Sequence, residues 1–275
     1  MMPSRTRLRL LRLLWRLKCW RAPGSIESFT LADGSSFLYP LDSVIGFMLY
    51  ARAFETGEVR FVIESLQPGA IFLDIGANAG LYTVLAAKRV GAQGRVIAFE
   101  PAQRNLELLK RNIELNALTN VTIVPRAVGN KMGPCQFGVS RDGAMNSLAR
   151  TGHPGQQIEN WQTVEMTTLD AAIRDLKLPR IDFIKIDVEG AEKLVFEGAR
   201  ETLAVNPNVT ILFEAADIAA TAFDYTARSL LADLTSQGFS LSCFDGSEKK
   251  ELKNLGDPRM GREIYNFVAR KNPTK

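Results

Sequence analysis

A chain of 275 residues with 46% hydrophobic and 23% charged residues has the composition of a folded protein with an ample core, not of a disordered or fibrous one. Its three cysteines, Cys19, Cys135 and Cys243, stand far apart with no CxxC pair, which argues against a disulfide framework or a zinc knuckle and fits a reducing, cytoplasmic compartment. The net charge of +4 is local: residues 1–21 hold seven basic side chains and no acid, so the remainder carries 27 basic against 30 acidic residues and is not a cationic nucleic-acid binder.

The basic segment comes first. Leu10, Leu13, Leu14 and Leu17 share one helical face, and Arg5, Arg9, Arg12 and Arg16 lie on another. The longest uncharged run is Leu13-Leu14-Trp15, too short for a membrane span or a signal-peptide core. Residues 1–24 are therefore expected to form a basic amphipathic helix, either touching an anionic membrane peripherally through residues 1–21 or docked on the domain. Residues 25–67 predict a layer packed on the main domain, too small to hold its own core. Within it, Phe29 and Leu31 precede Asp33-Gly34 and Phe37 and Tyr39 follow, which is a hairpin pattern. Two short helices follow, with Gly57 expected between them.

From residue 68 to 272 the chain alternates strand and helix. Strands are expected at 70–75, 95–100, 121–124, 181–186 and 209–214, with helices near 79–90, 102–116, from about 190, and around Leu230, Leu231 and Leu234. Residues 130–168 break the rhythm with two extra strands and a glycine-rich loop. Late strands at 239–244 and 264–269 end the pattern. The fold class is α/β, a mostly parallel doubly wound sheet with a late antiparallel strand.

Three stretches carry chemistry. The first is Asp74-Ile75-Gly76-Ala77-Asn78-Ala79-Gly80, a strand end, a glycine turn and a helix start. Dinucleotide folds use G-x-G-x-x-G so that pyrophosphate can rest on the helix N-terminus. Here the third glycine is missing and Asp74 stands at the strand end. An acid is a poor neighbour for pyrophosphate and a good one for an ammonium group, which points from NAD toward S-adenosylmethionine. Gly76, Ala77, Asn78 and Gly80 let a ligand approach the backbone. The second is Glu100, ending the next strand, where a carboxylate can accept from both ribose hydroxyls of a nucleoside. Ala127, after the third strand, stands where backbone groups could meet an adenine edge.

The third is Lys185-Ile186-Asp187-Val188-Glu189-Gly190. A period of two puts Phe183, Lys185 and Asp187 on one face of an otherwise apolar strand. A lysine there is costly unless paired, and Asp187 and Glu189 are near enough to pair with it. Together, the stretch from Leu73 to Gly80, Phe99-Glu100-Pro101, Arg111-Asn112 before Asn116, and the stretch from Lys185 to Glu192 resemble the FkbM family of methyltransferases. The resemblance spans about residues 69–215. It implies a class I, Rossmann-like fold, use of S-adenosylmethionine, and methylation of a hydroxyl on a glycan or small metabolite.

A hydroxyl nucleophile must lose its proton, and with one histidine in the chain a carboxylate is the favoured base. Asp187 or Glu189 is expected in that role, with Lys185 holding the site charge or orienting the acceptor. His153, in the loop that also offers Asn146 and Ser147, is a second candidate. Asp187, Glu189, Glu214 and Asp217 could gather around a divalent cation, but the positive charge of Lys185 would compete, so no metal is expected. Two alternatives stand beside the methyltransferase: an NAD-dependent oxidoreductase, and a non-catalytic membrane-associated binding protein on the same fold.

Overall fold

The computed structural model describes residues 5–271 except Asp142, with side chains from residue 9 onward. The expected segment ends at residues 1 and 272, and the side chains of Arg5 and Arg7, lie outside the described residues.

Five elements form the N-terminal layer: α1 (Arg5–Arg21), β1 (Ile26–Thr30), β2 (Ser36–Pro40), α2 (Val44–Ala51) and α3 (Thr56–Ser65). The hairpin β1–β2 pairs Phe29 with Phe37. Its turn is held by Asp33, whose carboxylate accepts from the Ser35 amide at 3.0 Å and hydroxyl at 2.7 Å. Gly57 does not separate the two helices. It lies in the first turn of α3, where an added Cβ would sit 2.3 Å from the Ser247 carbonyl oxygen. The break falls instead at Arg52, which takes φ 54° and closes α2.

α1 docks through a face other than the four leucines. Trp15 is buried against Phe29, Phe47 and Tyr50, with ring centroids 6.1, 6.0 and 5.1 Å away. Leu41, Phe47, Ala51 and Ala53 complete a small satellite core, so the layer does hold one of its own once α1 is included. Burying an indole of this kind contributes on the order of 2–3 kcal/mol.

The main domain follows as β3 (Ile71–Ile75), α4 (Leu81–Val90), β4 (Arg95–Phe99), α5 (Gln103–Leu115) and β5 (Val121–Val124). An insertion holds β6 (Ala127–Val128), β7 (Gly133–Ser140) and β8 (Ile158–Thr167), a three-stranded sheet in the order β6-β8-β7. Then come α6 (Leu169–Asp175), β9 (Phe183–Ile186), α7 (Glu192–Glu197), α8 (Arg200–Val205), β10 (Thr210–Glu214), α9 (Asp217–Ala220), α10 (Ala227–Ser236), β11 (Phe239–Asp245), β12 (Glu248–Glu251) and β13 (Asn266–Lys271).

Eight strands form the central sheet in the order β12-β11-β13-β10-β9-β3-β4-β5. β10, β9, β3, β4 and β5 run parallel; β13 is antiparallel to β10, and β11 and β12 continue that antiparallel edge. All five residues of β3 are buried, because helices cover both faces of a parallel sheet. Ile71, Leu73 and Ile75 share one buried core with Val195 of α7, Leu203 of α8 and Leu231 of α10. Phe72 faces the other way, toward Val62 of α3, Val84 of α4 and Phe183 of β9.

The same alternation sets the site. Asp74 of β3 pairs in register with Lys185 of β9, so the two polar residues are neighbours on one face. Both lie at the carboxyl end of the parallel strands, where open α/β sheets bind their ligands.

Candidate active site

A cavity of about 820 Å³, counting its open mouth, lies over the carboxyl ends of β3, β4 and β9. Gly76, Ala77, Asn78 and Glu100 form one part of its wall, with Ala127 of β6 beside them. Lys185, Asp187 and Glu189 form another. Every expected site residue except Asp74 and Gly80 therefore lines it. His153 does not; its Nδ1 accepts the Gly155 amide at 3.0 Å and closes a turn within the loop.

Asp74 lies outside the wall. It is 1% exposed, and its Oδ2 accepts the Thr83 hydroxyl at 2.5 Å. Its Oδ1 is buried without a hydrogen-bond partner among the described residues. Burial raises the carboxyl above its ordinary range, against the pull of Lys185 and Thr83. Gly80 caps α4 at φ 89°, and a Cβ there would come 2.5 Å from Leu109 Cδ1, so its smallness serves packing against α5.

The glycine turn is closed to phosphate. The Gly76 and Ala77 amides both donate to the Phe99 carbonyl, at 3.0 and 2.9 Å. The Asn78 amide donates to Glu100 at 2.8 Å, the Ala79 amide to Asn78 Oδ1, and the Gly80 amide to the Ala77 carbonyl. No backbone N–H from 76 to 80 is left to cradle a pyrophosphate, which speaks against the NAD alternative. The smallness of Gly76 also serves the fold. With φ 82°, an added Cβ would lie 1.8 Å from the Asp187 carbonyl oxygen. The glycine is needed so that the two motif loops can touch.

Glu100 is 4% exposed and uses both carboxylate oxygens: Oε2 for the Asn78 amide and Oε1 for the Ala102 amide at 2.9 Å. Burial pushes its pKa up to about 7, against three hydrogen bonds that favour the charged form. A carboxylate offers about four lone-pair sites, so Glu100 keeps acceptor capacity for a ligand hydroxyl.

The charged wall is a lysine among carboxylates. Lys185 Nζ donates to Asp187 Oδ2 at 2.9 Å and stands 4.8 Å from the centre of the Tyr82 ring. Burial alone would lower its pKa. Asp187, Asp74 and Glu55 together outweigh that and hold it above its ordinary value, so the ammonium keeps its proton. Glu55, from the N-terminal layer, escaped the sequence reading. It accepts the Tyr82 hydroxyl at 2.5 Å, and burial raises its carboxyl to about 7 despite Lys185. Glu214 is pushed well above its ordinary range by burial and then by Asp187, Glu189, Glu192 and Glu55. Asp217 turns to the Ala227 amide at 2.8 Å, and no three of the His, Cys, Asp and Glu residues described converge as metal ligands.

The turn after β9 is fixed by Glu192, which is 1% exposed. Its Oε1 accepts the Val188 and Gly190 amides at 3.1 and 3.2 Å, and its Oε2 accepts the Tyr225 hydroxyl at 2.9 Å. That clamp holds Glu189 at φ 54° on the cavity wall. Across from it, loop 141–157 folds over the glycine turn. The Gly143 carbonyl accepts from Asn78 Nδ2 at 2.9 Å and from Asn105 Nδ2 at 3.0 Å. Gly143 has φ 72°, and a Cβ would come 2.7 Å from Asn105 Oδ1. Asn146 also lines the cavity, with its Nδ2 buried and unpartnered among the described residues. Tyr39, Ile45 and Phe54 of the N-terminal layer add an apolar wall.

The donor set fits S-adenosylmethionine. On the cavity wall, Glu100 retains acceptor capacity for ribose hydroxyls, and Asn146 Nδ2 is a donor without an acceptor among the described residues. The methyltransferase FkbM domain matches residues 74–241, more than half of the chain. Among curated proteins, the methyltransferase sdnD of Sordaria araneosa is 29% identical over 202 residues, covering 62% of this chain and 74% of that one. Methyltransferase 1 of Beauveria bassiana is 26% identical over 261 residues, covering 82% and 95%. The hexuronic acid methyltransferase AglP of Haloferax volcanii is 25% identical over 199 residues, covering 68% and 76%. A solved methylase from Clostridium thermocellum superposes with a TM-score of 0.50 at 10% identity, covering 79% of this chain and 95% of that one, which is a likeness of fold. The sheet order, the turn closed to phosphate and the family match agree: the chain belongs to the FkbM family of S-adenosylmethionine-dependent methyltransferases.

Proposed function

We propose that the protein transfers a methyl group to a hydroxyl oxygen of a glycan or small hydroxylated metabolite. The observation that carries this is the Lys185–Asp187 pair, set in the wall of the cavity that Glu100 and the glycine turn also line. Gly76 to Asn78, Glu100 and Ala127 would hold the methyl donor. Bound there, S-adenosylmethionine supplies a methyl on a sulfonium, already activated for attack by an oxygen.

The chain's own task is then to position the acceptor and take one proton. Asp187 Oδ2 faces the Lys185 ammonium, which leaves Oδ1 to accept the proton of an acceptor hydroxyl. The ammonium fixes the orientation of the Asp187 carboxylate through the 2.9 Å hydrogen bond. Lys185 itself, held in charge by Asp187, Asp74 and Glu55, is not a base. Glu189 stands beside Asp187 on the same wall and completes its negative rim. Tyr39, Ile45 and Phe54 exclude water and give an apolar surface to the carbon skeleton of the acceptor. The hexuronic acid named for the Haloferax volcanii relative is a hydroxylated sugar and fits this class.

The test is a two-part experiment on the full chain. S-adenosylhomocysteine should raise the melting temperature, as any ligand of the native state does. Labelled methyl transfer should then appear in a panel of hydroxylated sugars, uronic acids among them, and be absent from amine acceptors of matched size. Transfer confined to nitrogen would reject the hydroxyl assignment.

A further inference from the structure

The helix α1 has two apolar faces, and the fold uses one. Trp15, with Leu11 and Cys19 beside it, seals α1 onto the rest of the N-terminal layer. Leu10, Leu13, Leu14, Leu17 and Trp20 stay between 44% and 78% exposed. At about 100° per residue these five fall within an arc of roughly 120° opposite Trp15. Arg9 and Arg16 are exposed along one edge of that arc, Arg12 lies further round with its guanidinium 5.4 Å from the centre of the Phe47 ring, and Arg21 ends the helix. On the other edge Lys18 is tied to Glu27 at 2.8 Å.

We propose that this outward face lies on an anionic phospholipid bilayer. Leucines and an indole flanked by arginines match the two layers of such a surface, acyl chains below and phosphates at the level of the cations. Charge distribution favours the same partner. The first 21 residues hold seven basic residues and no acid, with Lys18 alone among the described side chains paired to a later acid, while the rest of the chain carries a net of −3. A negative surface therefore attracts this end and repels the body, which fixes the orientation. A second copy is disfavoured as occupant, since pairing two such helices would bring their arginines together. An acidic protein would satisfy the arginines but would gain little from five exposed apolar side chains. Docking by Trp15 also means that the helix is already formed, so its ordering is not charged to binding. No described helix is long and apolar enough to cross the membrane, so the contact is peripheral.

Sedimentation of the full chain with vesicles tests this, using phosphatidylglycerol mixed with phosphatidylcholine against phosphatidylcholine alone. The protein should sediment with the mixed vesicles and remain in solution with the neutral ones. A triple variant, Leu13→Gln with Leu17→Gln and Trp20→Gln, should partition about tenfold less or weaker still. Its melting temperature should match the parent, because all three side chains are exposed. Three results would each overturn the proposal. The parent could ignore anionic vesicles. The triple variant could bind them as tightly as the parent, making the contact one of charge alone. The parent could form a dimer without lipid that the triple variant dissolves, showing that a second copy covers the face. None of these depends on the identity of the methyl acceptor.

Discussion

Glu100 joins the glycine turn to the start of α5 through one carboxylate on the cavity wall, where we propose it also meets the methyl donor. Its two oxygens hold the Asn78 and Ala102 amides, and acceptor capacity remains. Burial lifts its pKa from 4.5 to about 7. In the free protein this acid therefore favours the native state fully below about pH 4.5, and that contribution is lost as the pH rises through about 7. Donor binding has the opposite sign, because ribose hydroxyls donate to the ionised form. The affinity for S-adenosylhomocysteine should rise between pH 6 and pH 8, by up to about tenfold per unit below the pKa. Calorimetric titration of the parent and Glu100→Gln across that range checks it. The variant should bind at least about tenfold more weakly at pH 8 and lose the slope. A slope kept in the variant would move the titrating group elsewhere. The acid at this strand end was legible in the sequence, and so was the lysine in β9, because a charge at an inward position of an apolar strand demands partners. Glu55 and Tyr82 were not. Their hydrogen bond joins residues 27 apart in different layers, and neither sits in a local pattern that a period or a turn dipeptide would expose. Asp74 lies behind the cavity wall rather than in it, and Gly76, which does line the cavity, also makes room for the Asp187 carbonyl, a packing role that no local pattern shows.

Elements meet here through asparagines. Asn112 of α5 is fully buried, accepts the Leu38 amide at 2.6 Å, and donates to the carbonyls of Leu38 at 3.2 Å and Ala79 at 2.7 Å. Asn116 does the same one turn later, accepting the Ser36 amide at 3.0 Å and donating to its carbonyl at 2.7 Å. The two side chains thus act as a partner strand for the edge of β2, and Asn112 ties that edge to the start of α4. Since β2 carries Tyr39 into the cavity wall, the clamp reaches the site. Asn112→Ala should cost on the order of 2–4 kcal/mol of stability. Denaturant unfolding reads the loss, and hydrogen exchange should show it first at Leu38. An unchanged midpoint would mean that the hairpin holds through its apolar contacts alone. The hairpin was legible from Asp33-Gly34 between alternating aromatic and apolar residues. β12 was not, because all four of its residues, Glu248 to Glu251, are exposed and charged, so an edge strand leaves no apolar alternation to see. β6, with two residues, is too short to carry a period.

At the scale of the molecule, a family domain at residues 74–241 supplies most of the cavity wall, and Tyr39, Ile45 and Phe54 of the N-terminal layer complete it. The doubly wound sheet was legible because each parallel strand is a buried run between helices, and because glycine and proline punctuate the joins. The layer's part in the site was not, since Tyr39, Ile45 and Phe54 are ordinary core residues until the fold brings them to one wall. The central claim is that this cavity holds the donor through one group of residues and takes the acceptor proton through another. Asp187→Asn separates the two: it keeps the size and a hydrogen-bonding oxygen and removes the base. Methyl transfer to a hydroxylated acceptor should fall about 10²–10⁴-fold, while calorimetric affinity for S-adenosylhomocysteine stays within about threefold, because Glu100 and the glycine turn are untouched. Full turnover in Asp187→Asn, or a loss of donor binding as large as the loss of turnover, would contradict the account.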